Sequence, residues 1–213
     1  AARIMAGESL EGFNLPDDER RQSHFCVKEA VMPFGRFPGA DVVLGPEMKS
    51  TGEVMGIANN FPGAYAKTQA AVDMELPKTG TCFLSVCDRD KRAILPLARD
   101  LARMGFKLIC TSGTARALES ANIPCEVIGR VSDPEPNIAT LIGEGKIDLM
   151  INTPFGQETR SDGYVLRTLA VRQNLCYVTT LAGAQAFVSA IDNLRDDNLP
   201  IIALQDLDQW EEK

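Results

Sequence analysis

The sequence has a single histidine, His24, and none of its six cysteines belongs to a C-x-x-C pair. No cysteine lies at zinc-ligand spacing from a histidine, so the sequence predicts no metal site. Most cysteines lie within apolar stretches, which favours their burial as small hydrophobic side chains. His24 precedes a strand-like run at 25–27, which favours a structural role. We therefore expect a functional site without an imidazole base.

Long hydrophobic runs and an excess of positive charge are also missing. No apolar run approaches the roughly 20 residues of a membrane span, and the N-terminus lacks the pattern of a secretory signal. We therefore expect a cytoplasmic protein with no membrane partner. The net charge of −7 and the isoelectric point near 4.9 argue against broad nucleic-acid binding, because such binding depends on summed positive charge.

The chain of 213 residues is long enough to bury a core, and its composition changes near 76–80. We place a domain boundary there, between residues 1–76 and residues 77–213. The first part has a helix-like start at 1–7, a strand at 25–32, a turn-rich segment at 33–56 and a helix near 64–72. Because so long a loop is unusual inside a compact domain, we interpret this part as the end of a larger domain.

Beyond the boundary, apolar strands alternate with helical patterns. Strands are predicted at 82–86, 107–110, 125–128, 148–152, 176–178 and 201–204. Helices are predicted at 90–104, 114–121, 137–144, 162–173 and 182–191. Such alternation is typical of an open parallel sheet with right-handed crossovers, so we expect an α/β fold with helices on both faces.

Three of the predicted strands end in hydroxyl, amide or glycine residues and are followed by a helix. These stretches are 84–91, 109–114 and 150–156. Because such turns lie along one edge of a parallel sheet, where helix N-termini supply partial positive charge, we expect them to form one pocket. Hydroxyls, an amide, glycines and Lys91 offer what a phosphate group needs: donors, close backbone approach and one positive charge.

Each stretch also has a purely structural interpretation. Lys91 could pair with neighbouring Asp88 or Asp90, which would offset its unfavourable place at a helix N-terminus. Residues 111–114 could be a helix N-cap in which glycine eases the turn, and residues 152–154 could simply close a strand. The coincidence of all three stretches at one edge favours an anion site.

Two sets of residues resemble a known family. Residues 80–86 with 90–91, 105–108, 111–115, 143–148 and 151–154 resemble the methylglyoxal-synthase-like regulatory domain at the C-terminus of carbamoyl phosphate synthetase large subunits. Residues 27–34, 37–41 and the specific motif LGPEMKSTGEVMG at 44–56 resemble the end of that subunit's second ATP-grasp domain. The resemblance implies a Rossmann-like parallel sheet in residues 77–213, preceded by the partial C-terminal end of an α+β ATP-grasp domain.

The resemblance implies that the complete protein makes carbamoyl phosphate from bicarbonate, glutamine-derived ammonia and two ATP, for pyrimidine or arginine biosynthesis. Mg²⁺ and ATP would be held by residues upstream of Ala1, so that this chain alone would be inactive and hold neither. The implied partners are a small glutamine amidotransferase subunit and the remaining large-subunit domains. This chain would bind a nucleotide effector such as UMP or IMP, and in some relatives ornithine, and it could form homo-oligomers.

The effector-binding residues of the family match particular positions of this sequence. Those around the effector phosphate are Ser85, Lys91, Thr111, Thr114, Arg130, Asn152 and Thr153. Those near the ribose or base are Asp162 and Val165, and those near an amino-acid activator are Glu29 and Thr179. For Glu29, a solvated strand charge is an equal alternative.

Two departures from the family leave the identity of the effector open. Arg130 stands where some relatives have lysine, which keeps the charge but presents a planar fork. Pro154 stands where others carry a further phosphate-binding threonine, so that one donor is lost.

Two rival functions stay open. Free-standing methylglyoxal synthases share the threonine loop, but they use an aspartate base in a Gly-Gly-Asp-Gln segment and a histidine after the fourth strand. The matching stretch here reads Asp-Pro-Glu-Pro at 133–136, and no histidine follows Asn152. A purely structural role in holding subunits together is the other alternative.

Overall fold

A computed structural model describes residues 2–13, 24–31, 52–153, 158–196 and 199–209. Within these ranges, no helix combines the length and the apolar character that a membrane crossing requires. The N-terminal elements are helix α1 (Ala2–Met5), a 3₁₀ helix (Leu10–Phe13), strands β1 (Phe25–Val31) and β2 (Gly52–Ala58), and helix α2 (Phe61–Ala71). The two strands pair antiparallel, with Phe25 opposite Ala58.

The structure corrects the sequence prediction at β2. Residues 52–56 were expected in a turn-rich segment, but they belong to this strand. Its two glycines, Gly52 and Gly56, lower the strand propensity of the stretch. Gly56 is nevertheless required here, because a Cβ at this position would collide with the carbonyl oxygen of Ala64 on α2. The rest of the turn-rich segment, residues 33–51, lies outside the described residues.

The larger part of the chain forms a parallel sheet of five strands. They are β3 (Thr81–Val86), β4 (Lys107–Cys110), β5 (Glu126–Val127), β6 (Leu149–Thr153) and β7 (Cys176–Val178), in the spatial order β5-β4-β3-β6-β7. The chain runs outward from β3 to β5 and then returns to the other side of β3, so the winding reverses between β3 and β6. In sheets of this kind, ligands bind beside that reversal at the carboxyl ends of the strands.

Helices flank these strands on both sides of the sheet. They are α3 (Lys91–Arg103), α4 (Ser112–Ser120), α5 (Ile138–Gly143), α6 (Glu158–Arg172) and α7 (Leu181–Asp196), with short 3₁₀ helices at Asp88–Asp90 and Leu204–Gln209. The predicted α/β fold with a parallel sheet is therefore confirmed. Five of the six predicted strands and all five predicted helices of this part have observed counterparts.

Alternating side chains of each strand enter two separate cores. Leu84 of β3 and Ile151 of β6 belong to the core that faces α3, α4 and α7. Phe83 of β3 and Met150 of β6 belong to the other core, which faces α5 and α6. Because strand side chains alternate with a period of two, Ser85 and Asn152 point to the α5 and α6 side. The carboxyl edge of the sheet is thus polar on that face.

Helix α2 packs against α7 of the larger part as well as against β2. Ala66 of α2 and Leu76 after it are buried in the same core as Ile151, and the Cys176 thiol donates a hydrogen bond to the Glu75 carbonyl at 3.1 Å. The N-terminal elements are thus in direct contact with the sheet domain. The boundary between residues 1–76 and 77–213 stays a prediction.

The predicted strand at 201–204 is wrong. Residues 201–203 have no regular structure, and a 3₁₀ helix begins at Leu204. Ile201 is 98% exposed, so the apolar run packs against no neighbouring strand. The apolar residues of this run suggested a strand, but in the described structure the run pairs with neither edge strand of the sheet.

Candidate functional site

The carboxyl ends of three neighbouring strands lie side by side. Ser85 of β3 is in register with Asn152 of β6, and Val86 is in register with Thr153. On the other side of β3, Leu84 is paired with Cys110, which places Thr111 beside Ser85. All three polar stretches singled out in the sequence therefore meet at one edge.

A cavity of about 530 Å³ opens at this edge. Of the residues expected to bind an effector, those that line it are Ser85, Lys91, Thr111, Thr114, Arg130, Asn152, Thr153 and Asp162. Its volume lies within the roughly 300–1,000 Å³ that is usual for small-molecule sites. The cavity is therefore large enough for a mononucleotide-sized ligand.

Hydrogen bonds hold the hydroxyl groups of the cavity in place. Thr111 Oγ1 donates to Ser85 Oγ at 3.2 Å, and Thr114 Oγ1 accepts from the Val86 backbone N–H at 3.1 Å. Thr153 Oγ1 accepts from the Cys87 N–H at 3.2 Å. Ser85 accepts here and keeps its own proton available for a ligand. The strand ends are thus tied together through the side chains that line the cavity.

Thr111 occupies the N-cap position of α4, but its side chain makes no capping hydrogen bond. Its hydroxyl points across to Ser85 instead. The N-cap alternative therefore does not account for the Thr111 side chain. The first N–H groups of a helix are its least satisfied donors. Gly113 in the first turn of α4 lines the cavity, whereas the Thr114 N–H already donates to the Thr111 carbonyl at 2.9 Å.

Asn152 is 6% exposed, and among the described residues its Oδ1 atom has no hydrogen-bond partner. Turning the amide over presents either its oxygen or its NH₂ group to the cavity. An unsatisfied buried polar atom costs about 1–3 kcal/mol. Asn152 lines the cavity wall, so a ligand would remove this cost by donating to the oxygen, or by accepting from the NH₂ group once the amide has turned over.

Lys91 lines the cavity together with two other basic residues, Arg89 and Arg130. Its side chain is 28% exposed, and Nζ lies 2.6 Å from Asp88 Oδ1, so the pairing considered in the sequence analysis does form. Nζ also lies 3.3 Å from the place where a Cβ would stand on Gly113. The ammonium group thus lies over the first turn of α4, which contributes positive potential of its own.

Arg130 lies at the exposed rim of the cavity, in the loop between β5 and α5. Its backbone N–H donates to Asp133 Oδ2 at 2.7 Å, and the Asn137 amide nitrogen donates to the Asp133 carbonyl at 3.0 Å. Asn137 also caps α5 by accepting hydrogen bonds from two backbone N–H groups. These bonds fix the course of the loop that carries the guanidinium group.

The structure adds wall residues that the sequence analysis did not identify. The apolar ones are Phe83, Val131, Ile138 and Leu166. Strand alternation places Phe83 on the same face as Ser85, so this one could have been found from the sequence. The others come from separate elements, and only the fold brings them together.

Cys87 was also missed as a cavity residue. Its thiol donates a hydrogen bond to Asp90 Oδ2 at 3.0 Å. This bond, together with smaller contributions from Thr153 and Arg89, lowers the pKa of Asp90 against the opposing effect of burial. Asp90 is therefore fixed at the base of α3 as a carboxylate.

Three of the proposed effector residues do not line the cavity. Val165 lies on α6 and is 37% exposed. Glu29 is half-buried on β1, where it accepts a hydrogen bond from the Gln69 side chain of α2. Burial, followed by the Glu29 charge, raises the pKa of Tyr65. Thr179 is half-buried directly after β7.

Pro154, the other departure from the family, lies outside the described residues.

In the described part of the chain, no group of three or more histidine, cysteine and acidic side chains is arranged to hold a metal ion. The cavity offers hydroxyls, an amide and basic side chains, which suit an anionic group.

A family model described as an MGS-like domain matches residues 93–179. Together with the five-stranded parallel sheet, this match identifies an MGS-like domain. Nearly the whole chain is also homologous to carbamoyl phosphate synthase large chains, as the following relatives show.

The C-terminal section of the carbamoyl phosphate synthase large chain from Methanopyrus kandleri is 48% identical over 94% of this chain and 37% of its own length. The large chains from Mesorhizobium japonicum and Synechocystis are 45% and 43% identical, each over 97% of this chain. This chain spans only 18% and 19% of those two. A crystal structure of ForH, with a TM-score of 0.35 and 18% identity over 55% of this chain and 80% of its own, is too distant to support a conclusion.

Proposed function

We propose that this chain is the effector-binding section of a glutamine-dependent carbamoyl phosphate synthase, and that its cavity binds the phosphate of a nucleoside monophosphate such as UMP or IMP. The complete enzyme would join bicarbonate, glutamine-derived ammonia and phosphate from ATP in the cytoplasm. A small glutamine amidotransferase subunit and the other large-chain domains would be its partners. Mg²⁺ and ATP would bind in those other domains.

One observation carries the proposal: the convergence of Lys91, Asn152 and the hydroxyl cluster on one cavity. A phosphate dianion accepts several hydrogen bonds at once and needs at least one cation. The first turn of α4 adds backbone N–H groups with the correct polarity. Asn152 can turn its NH₂ group toward the cavity and donate a hydrogen bond to a phosphate oxygen, since the described residues give its amide oxygen no partner that such a turn would break.

The apolar wall suits the rest of a nucleotide. Val131, Ile138 and Leu166 lie on the α5 and α6 side of the cavity, where they offer a surface to a ribose or a base. Asp162 on α6 also lines the cavity, and its carboxylate can accept hydrogen bonds from ribose hydroxyls. The role of Val165, which does not line the cavity, rests on the family resemblance alone.

An amino-acid activator near Glu29 is the second part of the proposal. Glu29 is a half-buried carboxylate on β1 and contacts α2, which packs against α7. A cationic ligand there would change the packing between the N-terminal elements and the sheet domain. Such a change could be transmitted to an ATP site elsewhere in the large chain.

A methylglyoxal synthase activity has less support. The lining of the cavity includes no histidine in the described residues, and the only histidine of the sequence lies just before β1. Asp133, the aspartate of the 133–136 stretch, is held by the Arg130 N–H. An elimination from a triose phosphate would therefore lack the proton-transfer pair of those enzymes.

Isothermal titration calorimetry of the purified 213-residue chain with UMP, IMP and ornithine tests the proposal. We expect saturable binding of at least one nucleotide, weakened about fivefold or more in Thr111→Ala, the scale of one lost hydrogen bond. If none of the three ligands gives a heat of binding, that result would contradict an effector role and favour a structural one. We also expect no phosphorylation of carbamate from MgATP by this chain, since no ATP site is proposed within it.

Gly113 allows a more selective test, because a Cβ there would stand 3.3 Å from the Lys91 ammonium nitrogen, a tight contact from which Nζ would have to shift. We expect Gly113→Ala to displace Nζ and to weaken nucleotide binding about fivefold, equivalent to roughly 1 kcal/mol. Stability should be unchanged or slightly higher, because alanine is the better helix residue.

Gly143→Ala in α5 is the matched control, because no atom lies within 4 Å of the Cβ position there. Calorimetry should show unchanged affinity for this variant. If both substitutions weaken binding equally, or if neither of them weakens it, the first turn of α4 does not contact the ligand.

A further inference from the structure

The Asp88–Lys91 ion pair lies at the mouth of the cavity. Both residues line it, and their charged atoms are 2.6 Å apart. The two sides of the pair differ in exposure, because the Asp88 side chain is 95% exposed and that of Lys91 is 28% exposed. Asp88 can therefore swing into solvent without breaking other packing, whereas Lys91 is held in place over α4.

Lys91 needs an anion when no ligand is bound. It stands at the first position of α3, and its ammonium group lies over the first turn of α4 next to Gly113. Both helix N-termini carry partial positive charge, so a bare cation is disfavoured at this place. The hydrogen bond from Lys91 and its charge lower the pKa of Asp88, which agrees with a direct contact.

Taking the proposed phosphate site as given, we infer that Asp88 is an internal competitor for the anion: its carboxylate occupies Lys91 in the free protein and leaves when a phosphate binds. The geometry favours this exchange, because Asp88 Oδ1 lies 2.6 Å from Nζ and so occupies one of the three donor directions of the ammonium group. Asp88 would also repel a dianion if it stayed. The affinity of the site is thus set by an exposed side chain that does not itself bind the ligand.

The size of the effect follows from the exposure of the pair. If phosphate binds only the form in which Asp88 has left Lys91, its affinity is reduced by the fraction of molecules in that form. An exposed ion pair shifts such an equilibrium by a factor of about two to five, and removing one negative charge near the ligand adds to this. We expect Asp88→Asn to tighten the binding of inorganic phosphate and of UMP by about three- to tenfold.

A double-mutant cycle with Lys91→Met separates competition from a general charge effect. The four proteins are the unchanged chain, Asp88→Asn, Lys91→Met and the double variant. Each is titrated with inorganic phosphate and with UMP, followed by NMR so that weak binding can be measured. If Asp88 competes for Lys91, the gain from Asp88→Asn is about fivefold with Lys91 present and twofold or less without it. Thermal melts of all four proteins show that each is folded.

Two results would overturn the inference while leaving the proposed function intact. One is an equal gain in both backgrounds, which would make Asp88 only a distant charge. The other is UMP binding that Asp88→Asn does not change. If none of the four proteins binds phosphate or UMP, the proposed function fails, and the inference fails with it.

Discussion

Replacing Lys91 by methionine should weaken the binding of UMP or IMP about ten- to a hundredfold, because a charge-assisted hydrogen bond contributes about 1.5–3 kcal/mol. Lys91 is the partly buried cation beside the hydroxyl cluster. Methionine keeps much of the side-chain length but can neither carry the charge nor donate a hydrogen bond. Calorimetry on the purified variant measures the loss directly.

Lys107→Met is the matched control for this experiment. Lys107 also pairs with a carboxylate, Glu126, at 2.9 Å, but it begins β4 and therefore lies at the opposite edge of the sheet. Its replacement removes the same charge from the protein and should leave nucleotide affinity within about twofold, because exposed pairs contribute little. Equal losses in the two variants would indicate that net charge, and not the cavity, governs binding.

The second large effect is on folding. Ile151→Ala in β6 should lower the free energy of unfolding by about 2–5 kcal/mol, since this side chain is 0% exposed in the core between the sheet and α3, α4 and α7. The loss combines the lost transfer of methyl groups from water with the cavity that remains. Urea denaturation followed by circular dichroism gives the change.

Ile201→Ala is the control for Ile151→Ala, since both isoleucines stand in stretches that the sequence predicts as strands. Ile201 is 98% exposed, so its replacement should change stability by no more than about 0.5 kcal/mol. A loss at Ile201 that matches the loss at Ile151 would show that the C-terminal segment packs as a strand after all.

These two isoleucines also show what sequence patterns can and cannot decide. Both lie in short apolar runs. The run around Ile151 is followed by polar residues that close a strand and is preceded by a helix that leads into the sheet. The run at 201–203 follows Pro200, and nothing local reveals that the sheet already ends at β7. Whether residues 201–203 form a strand depends on whether a neighbouring strand is available for pairing, and a single sequence does not show this.

The prediction for β2 was wrong in the opposite way, because a strand formed where the sequence suggested turns. Gly52 and Gly56 make the stretch look like a turn. The strand exists because β1 pairs with it and because α2 approaches Gly56 too closely for a side chain. Tertiary contacts override local propensity here.

For the site, the sequence predicted the polar wall and missed the rest. Hydroxyl and amide residues that end neighbouring parallel strands must lie at one edge, so the meeting of Ser85, Thr111 and Asn152 follows from the fold class. The apolar wall could not be predicted, because Val131, Ile138 and Leu166 come from elements whose placement depends on packing. The contact between Lys91 and Asp88 was one of two alternatives for a neighbouring carboxylate, and only the structure chooses between them.

Above all, we propose that the edge formed by β3, β4 and β6 binds a phosphorylated small molecule. Titration of the isotope-labelled chain with UMP, followed by backbone amide NMR signals, tests it most directly. We predict saturable shifts for Val86, Cys87, Gly113 and Thr114 around the cavity, and no shift for Gly145 at the opposite edge of the sheet. Shifts confined to residues outside the cavity, or no shifts with millimolar UMP and IMP, would contradict the claim.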